Sequence, residues 1–588
     1  MGSMFVFRAF LIILFGDIPA VSKLLMMKGH NAVKPCRACL IPAVPCQLER
    51  NVVYYVPMSH PGRLHVLTYE DLPLRDHQQV LDQLTKIEAA STQAQRKQLT
   101  REYGLNSRSI FAYLRSIDLA TCAPYDAMHL LFENLIPNMI RHWIGKFKGL
   151  DQGSGTYQLR KEDWDLVGRL TVAVVRTIPS FFVGTLPDIA QDITLYKAEA
   201  YSFWFQYLAP ILLNGLLREP YYSHLILMRD IMALCLQFEI THADIDRLQI
   251  MVNNWVADYE RLYYQYKQDR LPACPLTIHA LLHLPTYIRQ TGPLWASWAF
   301  VMERFCGHLL PAVKNRTLPY QHLDNYVQRR AQMQIVSHVY SLPSLAKPRI
   351  NYTYAGDEKI SSHETVYPKF PDLVLGRPVN KNVQLDQDSL MNQLIKYFAT
   401  TYAPRFSGEI SARISTKSLV RYGRLRLAGD GDRMRTASLI DKDRTGTARD
   451  NSYIKYDLLP DRNTRFRYRD DEPFRRTYYG RLLDIYYVEF VEQEEQEATE
   501  TRPAIPCKVE PYILARVQEC DTDGRDAADP RVRLVKYTKL STPDIIHAST
   551  ISAVIGRVRC SDGQWAIVDR SSSGARTQFV DDEGNEEY

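Results

Sequence analysis

Three kinds of hydrophobic pattern follow one another along the chain. The first is a nearly unbroken apolar run, Met4 to Phe15, reading MFVFRAFLIILF. It is far shorter than the ~20 residues that span a bilayer. Gly16-Asp17-Ile18-Pro19 follows without a small-residue cleavage motif, which argues against a signal peptide. The expectation is a buried β-strand ending at Asp17. Pro19 to Lys28 then predicts a helix, and a cysteine-bearing loop comes after it.

From about Asp76 to Val339 apolar residues recur at helical spacing. Gln79 to Arg101 is polar and predicts a solvated helix pair. Ser109 to Trp143 and Trp164 to Arg176 are amphipathic. Tyr196 to Leu217 and Tyr221 to Phe238 are apolar all round, as buried core helices are. Thr241 to Asp269 predicts one long helix, and Leu276 to Ile288 and Trp295 to Asn315 complete the set. Pro343 to Pro371 has no period and reads as a linker, and Asp388 to Tyr402 adds a short helix.

Beyond Ser407 the period changes to two. Tyr453 to Tyr456, Leu482 to Val491, Tyr512 to Val517 and Ala553 to Val558 alternate, with Gly, Asp and Asn clusters between them. This predicts a separate β-barrel or sandwich. Residues 405–481 hold 19 Lys and Arg against 11 Asp and Glu, and Glu489, Glu492, Glu494, Glu495, Glu497 and Glu500 follow at once. Two readings stay open: basic strands with an acidic hairpin loop, or a phosphate-contacting face. The tail after Ser571 is polar.

Composition changes this picture little. With 588 residues, 46% hydrophobic and 23% charged, the chain is neither disordered nor collagen-like, and its length suits about three or four domains. A net charge of +6 permits a nucleic-acid partner without requiring one. Ten cysteines in so long a chain are no disulfide framework and suit a reducing compartment, cytosol or nucleus.

Candidate chemistry rests on a few residues. Asp17, just past the apolar run, would stand at a sheet edge, where metal-dependent nucleases place carboxylates; the alternative is a turn. Cys36 and Cys39 form the only Cys-x-x-Cys, half of a tetrahedral zinc site. His279 and His283, at i and i+4 on one helix face, can supply the other half some 240 residues later. Free thiols and a polar helix stripe are the alternatives, and the two pairs together favour zinc. Glu303 lies on an otherwise apolar helix, Trp298 to Phe305. A buried glutamate there must be paired, protonated or metal-bound, and its neighbour Arg304 does not face it.

These segments resemble transposases of the CACTA (En/Spm) superfamily, especially fungal forms. The resemblance runs through Gly16-Asp17-Ile18-Pro19-Ala20, Lys28-Gly29-His30-Asn31, Pro35-Cys36-Arg37-Ala38-Cys39 and Asp126-Ala127-Met128-His129-Leu130-Leu131. It continues through His279 to Pro285, Gly292-Pro293-Leu294, Met302 to Gly307 and Val313-Lys314-Asn315-Arg316. It implies an α+β chain: an RNase H-like DDE core, interrupted by a large helical insertion, with a C-terminal β-rich, barrel-like domain. The related V(D)J recombinase core has the same order of parts. By that analogy Asp17 and Glu303 are catalytic carboxylates that hold magnesium, with Glu133 and Glu199 as fallbacks for the latter. Cys36, Cys39, His279 and His283 are structural zinc ligands. DNA is the partner, a homo-oligomer is compatible, no membrane is involved, and the location is nuclear.

The implied domains are 1–60 (core remnant with the zinc half-site), 61–275 (helical insertion), 276–342 (helical return), 343–404 (linker with a short helix) and 405–588 (β-rich). Asn451 to Tyr456, Tyr478 to Arg481, Gly556 to Val558 and Trp565 to Asp569 resemble the tail of fungal members and are similar to a chromatin-type barrel such as a BAH module. One departure stands out: the family's first catalytic Asp lies on an upstream strand, and none of the 16 residues before Asp17 is acidic. Met1-Gly2-Ser3-Met4 therefore looks like the start of a truncated frame, and the expectation is an inactive chain with an exposed strand edge. Three functions follow: a Mg²⁺-dependent transposase or fragment of one, a non-catalytic DNA- or chromatin-binding derivative, and a zinc-stabilised interaction protein.

Overall fold

The computed structural model describes residues 8–48, 51–62, 67–315, 317–342, 353–355, 358–380, 389–402, 409–429, 431–442, 448–463, 468, 470–493, 507–529, 531–572 and 574. Met1 to Phe7, Arg316 and the acidic residues Glu494 to Glu500 lie outside them. The polar tail does too, apart from Ser572 and Gly574. The chain divides into two compact units. One comprises residues 1–168, 187–336 and 573–577, the other residues 169–186, 337–572 and 578–588.

The first unit is mainly helical. Its helices include α1 (Ile18–Leu24), α2 (His77–Glu88), α3 (Gln93–Tyr103), α4 (Ile136–Trp143), α5 (Tyr221–Cys235) and α6 (His242–Tyr259). Later come α7 (Leu276–Ala280), α8 (Leu284–Thr291), α9 (Phe300–Leu309) and α10 (Pro319–Val339). Their starts are capped: Asp17, Asp76, Thr92 and Thr241 each accept a backbone N–H from the first turn. The core is built from large aromatics, among them Trp143, Trp204, Trp255, Tyr259 and Tyr263, all buried. Burying so many phenols requires partners. Tyr263 Oη accepts from Trp143 Nε1 at 3.2 Å, and Tyr259 Oη meets His142 Nε2 at 2.9 Å and donates to Ala273 O at 2.8 Å.

Several expectations need correction here. Residues 8–15 form no strand; Leu14 N bonds Cys122 O at 2.8 Å and Leu14 is buried, but Phe10 and Ile12 face outward. An apolar run becomes a strand only where a neighbouring backbone offers a ladder, and one bond is not a ladder. Of the helix pair at 79–101, α2 buries Val80, Leu84 and Ile87, and only α3 is solvated. The long helix expected to reach Asp269 ends at Tyr264, because Gln265 and Tyr266 turn left-handed at φ 58° and 54°. Among the described residues of this unit the one sheet is the hairpin β1–β2 (Val44–Leu48 with Asn51–Tyr55), so no RNase H-like sheet is seen among them. No helix among the described residues is long and apolar enough to cross a membrane.

The second unit is rich in strands. The long, bent strand at Arg476–Gln493 pairs antiparallel with Lys508–Glu519 along most of its length. On its other edge it pairs with Tyr453–Leu458 over its first third and with Ile414–Tyr422 further on. The unit also holds a four-stranded and a three-stranded sheet besides this seven-stranded one. Among the described residues the strands form open sheets and no closed barrel, so the α+β class holds and the barrel-like description is not seen among them. Part of the stretch read as a linker is folded: Thr365–Tyr367 and Phe370–Leu375 pair in the four-stranded sheet. The arginine-dense stretch is partly matched within its own unit. Arg421 pairs with Asp484, Arg426 with Glu364, Arg475 with Asp457, and Arg481 with Asp441.

Candidate metal centre

The Cys-x-x-Cys loop is fixed by its backbone before its sulfurs are considered. Leu40 N donates to Pro73 O at 2.8 Å, Arg75 N to Ala38 O at 2.9 Å and Ala43 N to Val33 O at 2.9 Å. The end of α3 presses on the same loop. Gly104 closes that helix at φ 73°, and a Cβ there would stand 2.4 Å from Lys34 O. Only glycine permits that approach. Within the loop Ala38 N donates to Cys36 Sγ at 3.3 Å, as expected of a chain wrapped around a thiolate.

The histidines arrive from the helical stretch Leu276–Thr291, which tightens to a 3₁₀ turn between α7 and α8. His279 is in the last turn of α7, and His283 closes the 3₁₀ turn leading into α8. The helical spacing puts both rings on one face, with their Nε2 atoms 3.1 Å apart. Cys39 Sγ lies 3.2 Å from His279 Nε2. All four candidate ligand atoms lie within 4.8 Å of one another, and all four residues are buried. Tetrahedral zinc, with Zn–S about 2.3 Å and Zn–N about 2.0–2.1 Å, sets its ligand atoms roughly 3.3–3.8 Å apart. Cys36, Cys39, His279 and His283 thus form a buried group able to bind a metal such as zinc. Four protein ligands would fill its shell and leave no position for substrate.

Electrostatics fit the donor set. Burial pushes the Cys39 thiol up, and its hydrogen bond with Cys36 reinforces the shift. Burial opposes ionisation of Cys36 as well. The bond with Cys39 and the charges of His283 and His279 nevertheless hold Cys36 well below the usual thiol range. A divalent metal binds thiolates, so it would displace the thiol proton that burial favours on Cys39.

The two carboxylates of the sequence reading sit elsewhere in the unit. Asp17 is at no sheet edge; it caps α1, its Oδ1 accepting from Ala20 N at 2.5 Å. Glu303 is on α9 as expected, but that helix buries only Phe300, and Val301 and Phe305 are exposed with Glu303 itself. The expectation of a buried glutamate is corrected: an apolar sequence buries a helix only where a neighbour covers it. Among the described residues no hydrogen bond, ion pair or metal-capable group joins Asp17 to Glu303. Of the fallbacks, Glu133 lies 3.8 Å from His129 Nε2, and Glu199 opens another helix, Ala198–Phe203.

Sequence reasoning gave no role to a pair that the structure makes prominent. Asp126 is buried and accepts from His129 N at 2.9 Å, from His129 Nδ1 at 2.6 Å and from Ala299 N at 2.6 Å. Ala299 is the residue just before α9. The hydrogen bond to Asp126 raises the His129 pKa against the opposing effect of burial, with the charges of Asp126, Glu133 and Asp17 adding to it. The i, i+3 spacing of Asp126 and His129 was the available signal. Comparison with known proteins adds no assignment: no family model, no curated protein and no solved structure matches the chain.

Proposed function

We propose that the chain is a DNA transposase of the CACTA type, or a derivative of one, organised around a structural zinc site. The observation that carries this reading is the convergence of Cys36, Cys39, His279 and His283. These are the four residues that the resemblance assigns as zinc ligands, from two segments far apart in sequence. Zinc there would fasten the cysteine loop to the α7–α8 helical stretch.

In this reading Asp17 and Glu303 would hold magnesium, which would supply activation of a water and charge stabilisation for cleavage of a DNA phosphodiester. Asp126 acts as a positioning residue: it ties the start of α9, which carries Glu303, to His129, whose charge Asp17 in turn favours. DNA as partner, a homo-oligomer and a nuclear location belong to the same reading. One observation favours a second reading, a non-catalytic DNA- or chromatin-binding derivative: Glu303 is exposed and shares no partner with Asp17 among the described residues.

The test uses the zinc-loaded chain with supercoiled plasmid and Mg²⁺. Nicking that Asp17→Ala and Glu303→Ala both abolish supports the catalytic reading. DNA binding that weakens steeply with salt, without nicking, supports the second. Neither nicking nor binding overturns both.

A further inference from the structure

The Lys28-Gly29-His30-Asn31 segment and the polar helix α3 carry none of the metal ligands, yet the fold sets them side by side. On α3, Gln93, Arg96, Lys97 and Thr100 stand at i, i+3, i+4 and i+7, so they share one helix face. Lys28 is fixed beside the end of that helix. Met27 and Leu105 form an antiparallel bridge, and Lys28 N donates to Gly104 O at 2.9 Å. Asn106 donates through N to Met26 O at 2.7 Å and through Nδ2 to Met27 O at 2.9 Å. Together these side chains line an open groove of about 390 Å³.

The groove is basic and uncompensated. Lys28, Arg96 and Lys97 are all exposed, so a ligand can reach them. No carboxylate lines the groove, and none of the three cations forms an ion pair among the described residues. Glu88, which the Arg96 charge also influences, is already held by Arg108 through two hydrogen bonds of 2.9 Å. Arg421, Arg426, Arg475 and Arg481 of the second unit, by contrast, have carboxylate partners. Like charges gathered without counter-charges repel one another, and a bound polyanion removes that repulsion.

The lining discriminates among polyanions. Ala94 is its one apolar residue. An anionic membrane surface or an acidic peptide gains much of its hold from apolar anchors, and the groove offers nothing for them to meet. A nucleic-acid backbone needs only charge and hydrogen-bond donors. Gln93 adds an exposed amide with no partner among the described residues. We propose that this groove binds the phosphodiester backbone of DNA, with Lys28, Arg96 and Lys97 contacting phosphates irrespective of sequence. The proposal rests on DNA as the partner in the reading above and uses neither Asp17 nor Glu303.

The experiment measures binding of the zinc-loaded full chain to two duplexes of equal length and unrelated sequence across a salt series. In the variant carrying Lys28→Gln, Arg96→Gln and Lys97→Gln, the log–log salt slope is expected to be shallower by about 2–3, alike for both duplexes. A control carrying Lys86→Gln, Lys161→Gln and Lys267→Gln removes the same charge from exposed positions outside the groove and should keep the original slope. An unchanged slope in the groove variant, or an equal change in both variants, overturns the groove and leaves DNA standing as a partner. No binding by the unaltered chain overturns both. Tighter binding to phosphatidylserine vesicles or to polyglutamate than to DNA, lost in the groove variant, overturns the proposal in favour of another polyanion. Should the groove variant lose its zinc or its fold, acetylation of the unaltered chain by an amine reagent decides the matter. Protection of Lys28 and Lys97 by DNA, with Lys86 labelled as before, supports the groove, and equal labelling with and without DNA overturns it.

Discussion

Cys39 Sγ and His279 Nε2 lie 3.2 Å apart although 240 positions separate them in the chain. A contact of that sequence separation, between two good metal donors in a dry interior, is costly to close without an ion to hold it. Removing one donor should therefore do more than lower metal affinity. Cys39→Ser is expected to abolish tight zinc binding and to lower the stability of the first unit by on the order of 4 kcal/mol. Denaturant unfolding with and without added zinc checks this. Equal stability of the two proteins in saturating zinc would contradict it.

Gly104 offers a test of the loop without touching a ligand. Its φ is left-handed, and an alanine Cβ at this position would come within 2.4 Å of Lys34 O, so there is no room for one. Gly104→Ala should cost more than the ~1 kcal/mol of an unstrained site and weaken zinc retention against a chelator. Unchanged retention would show that the end of α3 does not brace the cysteine loop.

How much of this was legible in the sequence depends on the kind of signal. His279 and His283 share a helix face by periodicity alone, and Cys36 and Cys39 carry a ligand spacing, so both halves of the centre could be read. The helical run from about Asp76 and the helix from Thr241 were legible from their periodicity. The apolar run at residues 8–15 and the apolar face around Glu303 misled, because hydrophobicity states what a segment can bury and not whether a neighbour arrives to cover it. The Asp126–Ala299 bond was illegible, since a backbone N–H that distant leaves no mark on the sequence.

Acid should destabilise the first unit through two buried imidazoles. Burial holds His142 well below its usual pKa and lowers His224 to about 4. A histidine that stays neutral when folded contributes stability that is present above the unfolded pKa near 6.5 and is lost as pH falls through the folded value. His224 alone should cost about 3 kcal/mol by pH 4. Urea midpoints between pH 7 and 4 measure this, and His224→Gln should flatten the dependence. A midpoint independent of pH in this range would contradict the assignment.

His129 predicts the opposite sign. Its pKa is raised, chiefly by the hydrogen bond to Asp126. Its contribution is complete below the unfolded value near 6.5 and fades as pH rises through the folded one. Asp126→Asn should return the His129 titration toward its ordinary range in an NMR pH series. It should also destabilise by about 1.5–3 kcal/mol, because Ala299 N loses a charged acceptor.

In the second unit Lys455 sits 3.1 Å from Asp526 and 3.0 Å from Asp569, whose side chain is fully buried. Lys455→Met would strand that carboxylate, for an expected loss of about 3–5 kcal/mol. Lys455→Met with Asp569→Asn should recover part of it. A double variant no more stable than the single one would place the cost elsewhere.

The central claim is that two cysteines and two histidines hold one zinc ion. X-ray absorption at the zinc K-edge of the purified full chain tests it directly. The prediction is one zinc per chain with two sulfur neighbours at about 2.3 Å and two nitrogen neighbours at about 2.0–2.1 Å. A chain purified without chelator that holds no zinc, or a zinc shell of oxygen and nitrogen alone, would contradict it.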